Sequence, residues 1–304
     1  MIAASLTPEQ ERLRTELLRP ERRTPRPPLD ADRLRRIRRA AHQLRLDAIE
    51  MTHAATCGHP GGPLGMAEIV ATLFLEHLVL DPKNPTWSDR DRFVLSNGHT
   101  CAGLYSILSQ LGFFPRALLP TFRRFGSPLQ GHPHYGELPG VEVATGSLGN
   151  GVSVAAGMAL QAKGDGLPVR IYATTSDGEN QEGQPWEQAT SSVHYELDNL
   201  CLLLDWNNVQ IDGHVEDVMS VGDLPAKWAA FGWFVQKVDG HDVQAVHAAL
   251  SRAKEEKGRP SMIVCKTTLG RGVSYMENNP KFHGVAPNDE EYAQALKELG
   301  PVPA

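Results

Sequence analysis

Residues 168–213 read PVRIYATTSDGENQEGQPWEQATSSVHYELDNLCLLLDWNNVQIDG. Two short apolar runs, Val169–Ala173 and Leu200–Leu204, have the length and composition of strands. The segment between them reads as a helix, with Pro185 suited to a first turn and Trp186, Ala189 and Val193 as its apolar or small positions. A β–α–β unit makes the two strands parallel neighbours. The spacing therefore predicts an α/β chain built on an open, mostly parallel sheet with helices on both faces.

Acceptor residues follow each run at once. Asp177 and Gly178 come after the first, and Asp205, Asn207 and Asn208 after the second. Ligands of open α/β sheets bind at the carboxyl ends of strands, so this topology sets Asp177 beside Asn207. A carboxylate and an amide oxygen are hard ligands that suit Mg²⁺, which takes its remaining oxygens from phosphate and water. Gly178 lets an anion approach the backbone, and a helix N-terminus after it would present N–H groups. Such a site suits a metal-bound diphosphate. The plainer alternative is that D-G and N-N are ordinary turn residues.

The pattern S-D-G-E-x-x-E-G-x(23)-N-x-V-x-I-D-G over 176–213 resembles the thiamine diphosphate motif in the form found in transketolases. By that resemblance Asp177 and Asn207 bind the metal through their side chains and Val209 through its carbonyl; the metal is Mg²⁺, or Ca²⁺ or Mn²⁺ in its place. Gly178 and Glu179 would contact the cofactor. Ser176 stands where the family commonly has glycine. A second G-D-G, Gly164–Gly166, precedes the strand, where a turn and no ligand is expected.

Four further blocks resemble the same family in the same order. C-G-H-P-G-G-P-L-G-M-A supplies His59, and D-R-F-V-L-S-N-G-H places His99 at a strand-to-helix turn. G-H-P and T-G-S-L-G-N-G supply His132 and the cofactor contacts Gly146, Leu148 and Gly149. In this block His134, Ser147 and Asn150 replace the family's acid, proline and glutamine, which bears on the sugar used. The tail K-T-T-L-G-R-G-V-S-Y-M-E-N-N-P-K-F-H-G places His283 on a loop, close to the cofactor.

The resemblance implies transfer of a two-carbon ketol unit from a ketose phosphate to an aldose, with thiamine diphosphate doing the difficult step. His59 and His283 would accept the proton of the ketose C3 hydroxyl, and His99 and His132 would hold the hydroxyls of the two-carbon fragment. Glu182 and Glu187 would lie at a subunit interface. The family's activating glutamate sits on a second α/β domain. The five blocks run to about residue 290, leaving too little chain for a domain of the usual ~100 residues or more. The chain is thus expected to be one half of a split enzyme, the other half coming from a C-terminal partner subunit in an α2β2 assembly. A different thiamine diphosphate enzyme component, of the 2-oxo acid dehydrogenase or deoxyxylulose phosphate synthase type, and a non-catalytic regulatory half are the alternatives.

The 304 residues carry a formal charge of −6, which argues against nucleic acid as the main partner. No apolar run reaches membrane-spanning length, the start lacks a signal-type apolar stretch, and the four cysteines form no C-x-x-C pair. A reducing, cytoplasmic location is expected. Residues 30–304 read as the diphosphate domain. Residues 1–29, rich in Arg, Glu and Pro, read as a loosely ordered extension with a short helix around Pro8–Leu18.

Overall fold

The structure, a computed structural model, describes residues 5–303. Its helices are α1 (Pro8–Leu17), α2 (Ala31–Ala55), α3 (Gly61–Gly65), α4 (Ala67–Glu76), α5 (Cys101–Leu111), α6 (Asn150–Gly164), α7 (Gln184–His194), α8 (Val215–Met219), α9 (Leu224–Ala230), α10 (Val243–Glu255), α11 (Lys281–Gly284) and α12 (Asp289–Leu299). The strands are β1 (Arg92–Leu95), β2 (Ile171–Ser176), β3 (Leu200–Trp206), β4 (Val209–Gln210), β5 (Gly213–His214), β6 (Phe234–Asp239) and β7 (Ser261–Lys266). Five of them form one parallel sheet in the order β1-β2-β3-β7-β6, and β4 and β5 form a small antiparallel pair.

Alternation along the strands explains the layers. In β3, Cys201 and Leu203 join a core shared with α2, α4, α5 and α10. Leu200, Leu202 and Leu204 face the opposite core, with Val152 and Ala155 of α6, Ala189 of α7 and Trp228 of α9. Both faces of β3 are apolar because both are covered, as parallel sheets require. Cys101, Cys201 and Cys265 are buried free thiols and Cys57 is exposed.

The extension differs from the loosely ordered segment expected from its composition. Residues 1–4 lie outside the described residues, but residues 5–29 pack onto the domain. Thr7 and Gln10 form a capping box for α1, and Leu17 is fully buried. The decisive residue is Arg22. Its guanidinium donates to the carbonyls of Phe74, Leu75 and Leu78 at 2.7–2.8 Å, satisfying the free carbonyls at the end of α4. Buried Glu76 then faces Arg26, Arg33 and Arg36 at 3.3, 2.6 and 3.2 Å. These arginines find partners distant in sequence.

A buried chain of bases closes this seam. Lys254 Nζ lies 2.8 Å from His77 Nδ1 and donates to the Arg22 carbonyl. His77 Nε2 meets His247 Nδ1 at 3.0 Å, and His247 Nε2 meets the Pro27 carbonyl at 2.9 Å. Burial, helped by Arg170, pushes the Lys254 amine down to about 6. An unfolded lysine titrates near ~10.4, so between those values the unfolded chain binds the extra proton. Stability should therefore rise with pH from 6 to 10 on account of this group, by up to about 1.4 kcal/mol per unit. Urea midpoints at several pH values check this: Lys254→Met should remove that component of the rise, and an unchanged slope in the variant would refute it.

Candidate active site

Register sets the first half of the site. β2 and β3 pair with Ser176 opposite Asp205, so the residues that follow emerge together at the carboxyl edge. The Asp177 carboxylate accepts from the backbone N–H of Gly178 at 2.8 Å and of Asn208 at 2.5 Å. Asn208 adopts φ 61°, a left-handed turn that asparagine tolerates. Asn207 Nδ2 donates to Asp205 at 2.7 Å, and Asn207 Oδ1 accepts from Val209 N–H at 2.8 Å. Asp205 thus fixes which end of the Asn207 amide presents oxygen. The expectation that Asp177 and Asn207 meet across 30 positions agrees with this register.

Burial, and next the charge of Asp205, pushes the Asp177 carboxyl up to about 7. A buried carboxylate beside a second acid calls for a cation. The oxygens of Asp177, Asn207 and Val209 make a hard donor set that fits Mg²⁺ and leaves positions for diphosphate oxygens. Among the described residues no group of three or more His, Cys, Asp or Glu side chains is arranged to hold a metal ion, so the donor set here is one carboxylate with amide and backbone oxygens.

Two expectations around this motif need correction. The backbone after Asp177 is a 3-10 turn over Gly178–Gln181, and α7 starts only at Gln184, where Pro185 fits its first turn. No α-helix N-terminus follows Gly178 directly. Glu179, expected to contact the cofactor, is turned inward and fully buried. Its carboxylate accepts from Ser96 Oγ, from Gly149 N–H at 2.8 Å and from Ser176 N–H at 3.2 Å. It ties the ends of β1 and β2 to the entry of α6. Ser176 lies in β2 with no positive φ, so serine at this position carries no backbone strain. Glu179→Ala would leave those donors without an acceptor, at ~1–3 kcal/mol for a buried group. We expect a lowered urea midpoint equivalent to a loss of about 2–4 kcal/mol, with Glu179→Gln losing less; equal stability of Glu179→Ala and the native chain would show that the inward carboxylate fixes nothing.

The second half of the site is a cluster of histidines. His59 follows α2, His99 lies in a 3-10 turn after β1, His132 lies in the loop before α6, and His283 lies in α11 rather than on the loop expected. The His59 ring centroid lies 5.2 Å from that of His99, 6.1 Å from His132 and 5.9 Å from His283, and His99 and His283 are 4.9 Å apart. Gly146 allows this packing: at φ 151°, a Cβ would stand 3.2 Å from the His132 ring. Gly149 at φ 84° caps α6, and Leu148 beside it is half-buried.

All four imidazoles are held toward the neutral form. Burial is the main cause, pushing His59 down to about 4 with help from His283, Arg123 and His132. His99 lies well below the ordinary value, with the other three histidines adding to burial. His132 is exposed at the rim and is lowered by the partial desolvation left there and by Arg123, and His283 is lowered by burial against an opposing Val209 backbone contact. Buried polar atoms without partners gather here: His59 Nδ1, His283 Nδ1, Thr145 Oγ1 and Arg123 Nε. Orphaned atoms around one cleft fit a polar ligand.

Glu182 and Glu187 are exposed, on the turn before α7 and on α7 itself, with Glu182 beside Gly149. Of the family departures, His134 and Ser147 are exposed and Asn150 is half-buried at the start of α6. Sequence reasoning missed Arg123, which carries no motif signal, and passed over Thr145 and Ile211, which stand inside the quoted T-G-S-L-G-N-G and I-D-G patterns; the Ile211 Cδ1 lies with the His59 ring beside Gly284. Asp205 was noted as an acceptor; its D-x-N spacing to Asn207 is the signal for its bracing role.

Residues 36–304 match the family model described as transketolase, thiamine diphosphate binding domain. The chain belongs to that family. It is 41% identical over 242 residues to the 6-deoxy-6-sulfo-D-fructose transketolase subunit SqwG of Clostridium sp. (strain MSTE9), covering 80% of this chain and 88% of that one. It is 38% identical over 251 residues to an apulose-4-phosphate transketolase subunit of Phocaeicola vulgatus, covering 83% and 89%. The solved transketolase from Leishmania mexicana superposes with a TM-score of 0.82 at 34% identity, over 87% of this chain and 41% of that one. The chain thus spans most of the transketolase relatives named subunits and less than half of the full-length transketolase. Its α/β fold and thiamine diphosphate-binding domain are those of the transketolase family.

Proposed function

We propose that this chain is the diphosphate-binding subunit of a split transketolase. It would move a two-carbon ketol unit from a ketose phosphate to an aldose, with thiamine diphosphate, Mg²⁺ and a C-terminal partner subunit. The observation that carries this reading is the four-histidine cluster at the sheet edge that also bears Asp177 and Asn207. A metal-diphosphate site alone would serve many thiamine diphosphate reactions. Four neutral imidazoles facing one another suit a substrate rich in hydroxyls.

When bound, thiamine diphosphate supplies the carbon nucleophile and the electron sink that ketol transfer needs. Asp177, Asn207 and Val209 would hold the metal, which in turn holds the diphosphate. Gly146, Leu148, Gly149, Gly178 and His283 would line the rest of its seat. The ketose C3 hydroxyl loses a proton as the C2–C3 bond breaks. His59 and His283 would take it, since a neutral imidazole presents an acceptor nitrogen. His99 and His132 would hold the hydroxyls of the fragment retained. The aldose acceptor then receives the fragment as the proton returns.

The partner would supply the cofactor-activating glutamate, and Glu182 and Glu187, both exposed, would contact another protomer in an α2β2 assembly. The free thiols fit a reducing, cytoplasmic setting, and among the described residues no helix is long and apolar enough to cross a membrane. The test is a ketol-transfer assay of this chain with its partner, using a sulfonated ketose, apulose 4-phosphate and a ketopentose phosphate as donors. Transfer from one of them is expected. Decarboxylation of a 2-oxo acid with no transfer would favour another thiamine diphosphate reaction.

A further inference from the structure

A second cleft lies at the other end of the helices that carry the histidines. α2 and α5 run antiparallel: Gln110 Nε2 donates to the Ala40 carbonyl near the start of α2, and Ser106 Oγ donates to Asp47 at 2.6 Å further along it. The N-terminus of α5 follows His99, and the C-terminus of α2 leads to His59. At the opposite ends of this pair, α1 of the extension leaves a groove of about 1060 Å³ against α2, α5 and the turn at Arg116.

Arginines border this groove in an acidic protein. Arg12 comes from α1, Arg35, Arg36 and Arg39 from neighbouring turns of α2, and Arg116 from the turn after α5. Arg36 is held by Glu16 and Glu76, and Arg116 by Asp47. Arg35 meets only exposed Asp32, at 3.3 Å. Among the described residues, Arg12 and Arg39 have neither an ion pair nor a side-chain hydrogen bond, and of the bordering carboxylates only Glu9 is likewise free of a cation. A second observation also points to a ligand. Ser109, 2% exposed, borders the groove with its hydroxyl unpartnered, and Arg36 Nε is buried without an acceptor. Buried donors without acceptors are uncommon in folded proteins.

We propose that this groove is a binding site for a small metabolite carrying at least two phosphate groups, with Arg12 and Arg39 each taking one. The volume is that of small-molecule sites, whose range reaches ~1,000 Å³. Guanidinium groups match phosphate oxygens with paired donors. A sugar bisphosphate and a nucleoside polyphosphate share this chemistry. Either would sit where α1 meets the α2–α5 pair, at the far end from the catalytic histidines.

Calorimetric titration of the full chain with fructose 1,6-bisphosphate, ATP and inorganic pyrophosphate tests this, each run also on the Asp177→Ala chain to remove binding at the metal site. At least one probe should bind with a Kd below about 1 mM, equally in both chains. The Arg12→Gln/Arg39→Gln double variant should weaken that binding at least tenfold, while its circular dichroism matches the native chain. Preference for the sugar bisphosphate or for ATP identifies the source, and pyrophosphate alone would reduce the site to its phosphates. Absence of binding by all three probes, loss of binding with Asp177→Ala, or equal affinity in the double variant overturns the proposal. The Arg12→Lys/Arg39→Lys variant, which keeps the charge but not the fork, should recover part of the affinity.

Discussion

Asp177→Ala should yield a folded chain with no detectable affinity for thiamine diphosphate at matched Mg²⁺. The carboxylate is the one anionic ligand of the proposed donor set, and the cation it would hold offsets the like charge of the carboxylate and a diphosphate. Without it the metal loses a ligand that Asn207 and Val209, both neutral, cannot replace. The fold should survive. The substitution leaves the N–H groups of Gly178 and Asn208 without their acceptor, at ~1–3 kcal/mol each if buried. It also removes a carboxylate that burial and Asp205 already push up to about 7, so the two effects oppose each other. Asp177→Asn, which keeps size and acceptor but not charge, should bind the cofactor only weakly. Native affinity in Asp177→Ala, measured by calorimetry, would show that the metal lies elsewhere.

His59→Ala and His283→Ala should keep the fold and slow ketol transfer by about 10²–10⁴-fold, the usual worth of a positioned proton acceptor. His283 is in contact with the Val209 backbone, so its variant should also lose some cofactor affinity, whereas His59→Ala should not. His99→Ala and His132→Ala should act more on the KM of the donor. The pH profile follows from the direction of the shifts. Each imidazole is held below its ordinary value near ~6.5, so it stays neutral as pH falls past that point. The acid limb of kcat/KM should therefore lie below the ordinary histidine range. Wild-type turnover in both alanine variants would make these residues structural.

Much of the fold was legible in the chain because its strands are buried on both faces. Continuous apolar runs such as Leu200–Leu204 and Ser261–Cys265 are of strand rather than helix length, and they fall in β3 and β7. The meeting of Asp177 with Asn207 followed from parallel pairing alone. The histidines did not: His59 and His132 come from separate loops, His99 from a 3-10 turn and His283 from the short helix α11, and only resemblance joined them. Glu179 went astray because sequence proximity to Asp177 says nothing of where a side chain points. Its direction is set by Ser96 just after β1 and Gly149 just before α6. The extension went astray for a related reason. Composition sees six arginines before residue 27; it does not see the carbonyls at the end of α4 that Arg22 satisfies.

The claim that this chain forms half of a composite active site has a direct test. The purified chain, with Mg²⁺ and thiamine diphosphate, is assayed for ketol transfer alone and then with an equal amount of the partner subunit. The proposed function predicts cofactor binding but no turnover for the chain alone, and turnover once the partner brings the activating glutamate. Robust turnover by the chain alone would contradict it.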